Sequence, residues 1–310
     1  MDGEKDTTKY AKTMAPALLD FLNPELPNPE TWVVALDFFS ESGYMMTARF
    51  TRVLRSAARD TISIGNLMPR RTITLFIQCL VDAVVPEVGE AMVSVLRRLG
   101  LELDCPTNQT CCGQPAFNSG YRREARVAAR RFIEIFENAE TIVSPSGSCV
   151  NMVRNHYAEL FRDEPRWRKR AEAIASRTYE FTEFLVDVLK VEDVGARFNG
   201  RITYHDSCHL LRGIRVQEQP RKLLRRVGGA EFVEMKNSDY CCGFGGAFAV
   251  KYPDISGAMV NDKVDHIVNA GADTVVGCDM GCLLNIAGAV SRRGLPIKTM
   301  HMAQILDSRT

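Results

Sequence analysis

Beyond residue 71 the apolar positions fall into short blocks whose period alternates between strand and helix. Residues 72–77 (Thr-Ile-Thr-Leu-Phe-Ile) are β-branched and apolar and read as a buried strand running toward Cys79. Val84, Val88, Met92, Val95, Leu96 and Leu99 then recur at helical spacing, and Gly100 closes the stripe. A short strand near 101–103 leads to Cys111-Cys112. A second helix over 121–138 turns Ala125, Ala129, Phe132, Ile133 and Phe136 inward, and a strand over 141–143 runs into the loop Ser144-Pro145-Ser146-Gly147-Ser148-Cys149. The charged stretch 162–177 reads as a link.

The pattern then restarts. Phe181, Phe184, Leu185, Val188 and Leu189 make a helix, and 201–204 is a strand ending in His205-Asp206-Ser207-Cys208-His209. A helix around 220–227 and a strand at 231–233 lead to Cys241-Cys242. A helix over 256–269 and a strand over 274–277 lead to Cys278-Asp279-Met280-Gly281-Cys282. Strands alternating with helices argue an α/β fold: two pseudo-repeated halves, each a small parallel sheet flanked by helices. In such sheets sites form beyond the carboxyl ends of strands, where Cys79, Cys149 and Cys208 fall. The expected domains are an N-terminal helical extension over 1–70, a first half over 71–165 and a second over 166–310.

The extension has no cysteine. Prolines interrupt its start, and 43–60 reads as a basic amphipathic helix, with Met46, Phe50, Val53, Leu54 and Ala57 beside Arg49, Arg52, Arg55 and Arg59. A helix packed on the body is preferred there over a partner-docking segment.

Composition narrows the function. The chain has 310 residues, 45% hydrophobic and 25% charged, with net charge +1, so no global field draws it to nucleic acid or anionic lipid. The charged start shows no signal peptide, and no apolar run approaches the roughly 18 residues of a spanning helix. A cytoplasmic chain is expected, in which ten cysteines speak for metal or redox chemistry rather than disulfides. No P-loop or dinucleotide fingerprint appears, so neither NAD nor flavin is expected on this chain.

The cysteines repeat. Cys79 precedes Cys111 by 32 positions and Cys208 precedes Cys241 by 33; Cys112 precedes Cys149 by 37 and Cys242 precedes Cys282 by 40. Each half thus offers one cysteine, an adjacent pair and a final one as metal ligands: Cys79, Cys111, Cys112 and Cys149, then Cys208, Cys241, Cys242 and Cys282. Adjacent cysteines point apart on any regular element, so both can face one acceptor only where the backbone turns, and Gly113 and Gly243 permit that turn. Four thiolates suit an iron–sulfur cluster of the [4Fe–4S] type in one or both halves. Zinc in one half is the alternative, although structural zinc sites usually space their cysteine pairs.

Four segments carry a resemblance: Cys-Cys-Gly-Gln-Pro-Ala-Phe-Asn-Ser-Gly (111–120), His-Asp-Ser-Cys-His-Leu-Leu-Arg (205–212), Cys-Cys-Gly-Phe-Gly-Gly-Ala-Phe (241–248) and Asp-Met-Gly-Cys-Leu-Leu-Asn-Ile (279–286). Over residues 72–310 the chain resembles the cysteine-rich CCG-domain family, in particular its bacterial lactate-utilization branch. Relatives are the iron–sulfur subunit of glycolate oxidase and the cysteine-rich subunit of heterodisulfide reductase. The resemblance implies a cytoplasmic electron-transfer subunit of a multi-subunit L-lactate oxidation system, an oxidoreductase subunit without substrate turnover of its own. Its partners would be the other subunits, including a ferredoxin-type iron–sulfur protein. The other readings are a heterodisulfide-type thiol–disulfide reductase, a glycolate oxidase subunit and, as a non-enzyme, a zinc-stabilised scaffold. The full family pattern ends in Cys-x-x-Cys, giving five thiolates per site. Here Ser146 and Asp279 stand three residues before Cys149 and Cys282. Cys278 is the candidate fifth ligand; motif wording makes Cys282 the counterpart of Cys149, spacing alone favours Cys278, and Cys282 is preferred.

Gly113, Gly243, Gly245 and Gly246 are expected to turn backbone N–H groups toward a cofactor. His205 and His209 flank Cys208, with a hydrogen-bonding role preferred over ligation because four cysteines suffice. Segment 76–81, around Cys79, holds no histidine, so the halves are not equivalent. Arg212 reads as an anion site or a surface salt bridge, Cys105 as a plain buried thiol, and the arginines of 122–131 as a solvated face or an acidic docking surface.

Overall fold

The computed structural model describes residues 72–310, so the extension and its amphipathic helix lie outside the described residues. The first half runs β1 (Thr72–Leu75), α1 (Cys79–Val84), α2 (Pro86–Arg98), β2 (Glu102–Asp104), α3 (Gln114–Asn118), α4 (Arg122–Phe136), β3 (Ile142–Ser144), α5 (Gly147–Asn151), α6 (Tyr157–Leu160), α7 (Pro165–Ala175) and β4 (Thr178–Glu180). The second half runs α8 (Phe181–Glu183), β5 (Arg197–Tyr204), α9 (Glu218–Leu224), β6 (Gly228–Phe232), α10 (Ala247–Lys251), α11 (Pro253–Asn269), β7 (Thr274–Gly277), α12 (Met280–Arg292), β8 (Lys298–His301) and α13 (Met302–Asp307). Wide π-type turns follow α5, α8 and Cys208.

Two four-stranded sheets result, ordered β2-β1-β3-β4 and β6-β5-β7-β8, with every pairing parallel. The order repeats because the βαβ pattern does. In each sheet the first strand pairs outward with the second and inward with the third, so the chain reverses direction of travel between β1 and β3, and again between β5 and β7. Crevices at such reversals open beyond the strand ends. β3 and β7 are wholly buried, as the apolar runs predict.

The outer strands β4 and β8 went unread in the sequence. Thr178-Tyr179-Glu180 and Lys298-Thr299-Met300-His301 are short and mostly polar, so no strand period stands out. β4 pairs with β3 through Ile142–Thr178 and Ser144–Glu180 and completes the first sheet. It lies past residue 165, where the sequence reading ended the first half, and the charged stretch before it is α7.

α2 and α4 bury the faces their periodicity assigned. Phe76, Phe132, Phe136 and Tyr157 interlock edge-on or stacked behind the first sheet. The two halves share a core in which Val143 and Phe181 join Tyr204, Val276 and Leu283. α13 packs on α2, where the buried Arg98 donates to the carbonyls of Val194 and Leu306 and pairs with Asp307. No helix among the described residues is long and apolar enough to cross a membrane.

Candidate metal centres

Four sulfurs meet at each reversal point. In the first half Cys79 opens α1, Cys111 and Cys112 lie in the loop after β2, and Cys149 sits in α5. The Sγ atoms of Cys79 and Cys111 are 3.8 Å apart, and those of Cys112 and Cys149 3.3 Å. In the second half Cys241 lies near enough to Cys208 and Cys242, and Cys242 to Cys282, for each pair of thiols to shift one another. Ligand atoms of His205, Cys242 and Cys282 lie within 4.8 Å of one another. None of the ten cysteines is in a disulfide.

The glycine after each pair makes the convergence geometrically feasible. Gly113 and Gly243 adopt φ of +82° and +79°, the left-handed region that L side chains avoid. Each also lies close against a later helix, α4 or α11: a Cβ on Gly113 would stand 3.0 Å from Ala128 Cβ, and one on Gly243 2.6 Å from the Ser256 carbonyl oxygen. With the chain so turned, the Gly113 and Gly243 N–H groups donate to Cys111 Sγ and Cys241 Sγ, each at 3.4 Å. The carbonyl before the turn is tied down too. Tyr157 Oη donates to the Cys112 carbonyl at 2.9 Å, and Asn285 Nδ2 to that of Cys242 at 2.7 Å.

These contacts single out the same thiol twice. Cys111 is held well below the usual thiol range by hydrogen bonds with Cys112 and Cys79, helped by the Gly113 N–H. Cys241 is lowered likewise by Cys208 and Cys242, with the Gly243 N–H assisting. Their donors Cys79, Cys112, Cys208 and Cys242 are pushed up. Cys282 is lowered to about 6 through its contact with Cys242 and then with His205. A thiolate is the form that binds metal.

Asp279 joins the two sites. Its carboxylate accepts from Ser146 Oγ at 2.8 Å and from Ser148 N and Oγ at 3.1 and 2.7 Å, all first-half donors, and from Ser207 Oγ of the second half. Ser146 and Asp279, each three residues before the last cysteine of its site, bond each other. Ser146 Oγ also accepts from the Cys149 N–H and caps α5. Gln114 Nε2 crosses between the halves, from the Ser148 carbonyl to His209 Nδ1, at 3.0 and 3.2 Å.

A buried clamp braces the second site. Arg221 donates to Asp206 Oδ1 and Oδ2 at 2.9 and 2.6 Å and to Glu234 at 2.8 Å. Asp206 in turn accepts from Ser238 Oγ at 2.8 Å. Asp206 and Ser238 lie just before Cys208 and Cys241, so one arginine fixes both cysteine loops. Lys263, also buried, donates to the carbonyls of Asn237 and Ser238, and desolvation lowers it to about 8.

The eight cysteines named from the sequence thus gather in two groups of four. Cys278 does not join them: its sulfur accepts from Tyr204 Oη at 3.4 Å in the core between the halves. Gly245 and Gly246 take positive φ and shape the turn into α10. His209 faces Gln114. Arg212 pairs with Asp239 at the surface. Cys105, beside Gln109, is raised to about 12 by burial. On α4, Arg122, Arg126 and Arg130 pair with Glu159 and Glu164. Of the bracing residues, Asp279 and Asn285 fall in the segment 279–286 but had no bracing role assigned from the sequence, and Tyr157 and Arg221 carried no signal beyond an arginine beside apolar Pro220, Leu223 and Leu224. Converging free thiols, N–H groups aimed at sulfur and a neighbouring imidazole fit a thiolate-bound metal cofactor.

Fold and site together define a duplicated sulfur-rich α/β protein whose clustered side chains could hold a metal. The family model for the cysteine-rich domain matches residues 73–154 and again 202–287, and the chain belongs to this CCG family. Over 237 residues it is 50% identical to Lactate utilization protein A of Geobacillus sp. (strain WCH70), covering 76% of this chain and 99% of that protein. It is 52% identical over 223 residues to Lactate utilization protein A of Lysinibacillus sphaericus (strain C3-41), covering 72% and 97%. Among solved structures, a hypothetical protein from Helicobacter pylori shares the fold with TM-score 0.53 at 12% identity, over 87% of this chain and 55% of that one.

Proposed function

We propose that this chain is the iron–sulfur electron-transfer subunit of a multi-subunit L-lactate oxidation system, working in the cytoplasm beside a ferredoxin-type iron–sulfur partner. The carrying observation is the twin four-cysteine site in a chain about half identical to two lactate utilization A proteins over nearly their whole length. Cys79, Cys111, Cys112 and Cys149 would hold one group, and Cys208, Cys241, Cys242 and Cys282 the other. Bound there, an iron–sulfur cluster supplies one-electron transfer. The chain's own part is to present thiolates, to donate Gly113 and Gly243 N–H bonds to sulfur, and to keep the two sites against each other through Asp279 and Gln114. His209, through Gln114, helps hold that junction.

Zinc is the second reading, and one distance favours it. Sulfurs sharing a tetrahedral zinc at about 2.3 Å stand about 3.8 Å apart, the separation of Cys79 and Cys111; Cys112 and Cys149, at 3.3 Å, stand closer than that. A cubane binds each thiolate to a different iron and needs the sulfurs spread wider. The heterodisulfide-type reading loses its fifth thiolate to Ser146 and Asp279.

Anaerobic purification with iron, sulfide and zinc quantitation separates the readings. Iron with equimolar acid-labile sulfide and lactate-dependent dye reduction on co-purification with partner subunits support the proposal. A colourless protein carrying zinc in both halves sinks it.

A further inference from the structure

The second site has a donor that the first lacks. Counting back three residues from Cys79 and from Cys208 sets Phe76 opposite His205. Phe76 is fully buried, and its ring meets those of Phe132 and Phe136 at centroid distances of 4.8 and 5.7 Å. His205 is buried to the same degree, at 1% exposure, yet its ring is polar. Among the described residues, neither Nδ1 nor Nε2 of His205 has a hydrogen-bond partner. Buried polar side chains nearly always find one.

Three observations indicate what the imidazole is for. The His205 backbone is pinned by the sheet, its N–H donating to the Val276 carbonyl at 2.8 Å, so the ring is held in position. A ring nitrogen and the Cys242 and Cys282 sulfurs lie within 4.8 Å of one another, within reach of a common ion. The carboxylate on the adjoining helix, Asp279, is engaged by Ser146, Ser148 and Ser207.

We propose that His205 is itself a metal ligand of the second site, beside Cys242 and Cys282, a donor with no counterpart in the first site. This rests on the reading that the second site binds a metal group, and it makes the duplicated sites unequal by design.

The test uses the full chain, purified anaerobically and reduced, with and without 15N-labelled histidine. Pulsed EPR should show coupling from a coordinated nitrogen that changes on labelling. The coupling should persist in His209→Phe and vanish in His205→Phe, a substitution that installs the residue the first half already carries. The labelled wild type needs no variant to fold: no histidine coupling in it overturns the proposal, as does coupling that survives in folded His205→Phe. If metal analysis finds zinc and no iron, the cluster reading fails separately. Imidazole scattering at the zinc edge, present in wild type and lost in His205→Phe, then supports the ligand assignment, and its absence from wild type overturns it.

Discussion

Replacing Arg221 by Met keeps most of its volume and removes its charge. In the native chain Arg221 is 4% exposed and Asp206 1%. Their two hydrogen bonds are joined by the bonds to Glu234 and by the contact of Asp206 with Ser238. Without the guanidinium, Asp206 remains buried with a hydroxyl but no cation. Removing one partner of a buried pair costs about 3–5 kcal/mol, chiefly through the charge left stranded. In a protein of this size about 1 kcal/mol moves Tm by roughly 2–4 °C, so Arg221→Met should melt on the order of 10 °C lower by circular dichroism. Because the clamp holds the loops before Cys208 and Cys241, the variant should also lose metal from the second site and keep it in the first. Asp206→Asn added to Arg221→Met removes the stranded charge and should recover part of the loss. A single variant melting within about 3 °C of wild type, or a double variant weaker by the sum of the two singles, refutes the argument.

Glu180, fully buried, is raised from the ordinary carboxylate range to about 7 by desolvation. The folded protein therefore keeps a proton that the unfolded chain releases, and stability should fall as pH rises from about 4.5 to 7, by up to about 3 kcal/mol. Urea unfolding at pH 5 and pH 7.5 measures it; Glu180→Gln should flatten that difference, and an equal slope in the variant counts against the assignment. Cys278→Ser should leave metal per chain unchanged while Cys282→Ser empties the second site, and equal losses in both would contradict the placement of Cys278 in the core. Gly243→Ala puts a Cβ into the Ser256 carbonyl at a left-handed φ, strain worth about 1–3 kcal/mol. Its second site should lose metal on gel filtration, and retention at the wild-type level would remove the case for this turn.

Much of the site was legible because it repeats. Two cysteine sets in register, each with a glycine after its pair, already implied two turns and two groups of donors. Both appear, at the strand ends where α/β sheets open their crevices. Helices α2, α4 and α11 and strand β7 were equally readable, since one-sided burial leaves a period in the chain. Strands β4 and β8 left none, being short and polar and given their role by a neighbouring strand. The contest between Cys278 and Cys282 shows the limit of counting: Cys278 falls between Tyr204 and Leu283 in the shared core, while the first turn of α12 carries Cys282 round to Cys242.

The sequence by itself determined the α/β alternation, the duplication and the repeated spacing of the cysteines, because these are local patterns written twice. Only the tertiary structure decided that Asp279 would knit the two sites, that Arg221 would brace two loops, and that His205 would lie buried with its nitrogens unmet beside sulfur. Such roles depend on which side chain another segment brings opposite, and packing sets that across separations that no local period records.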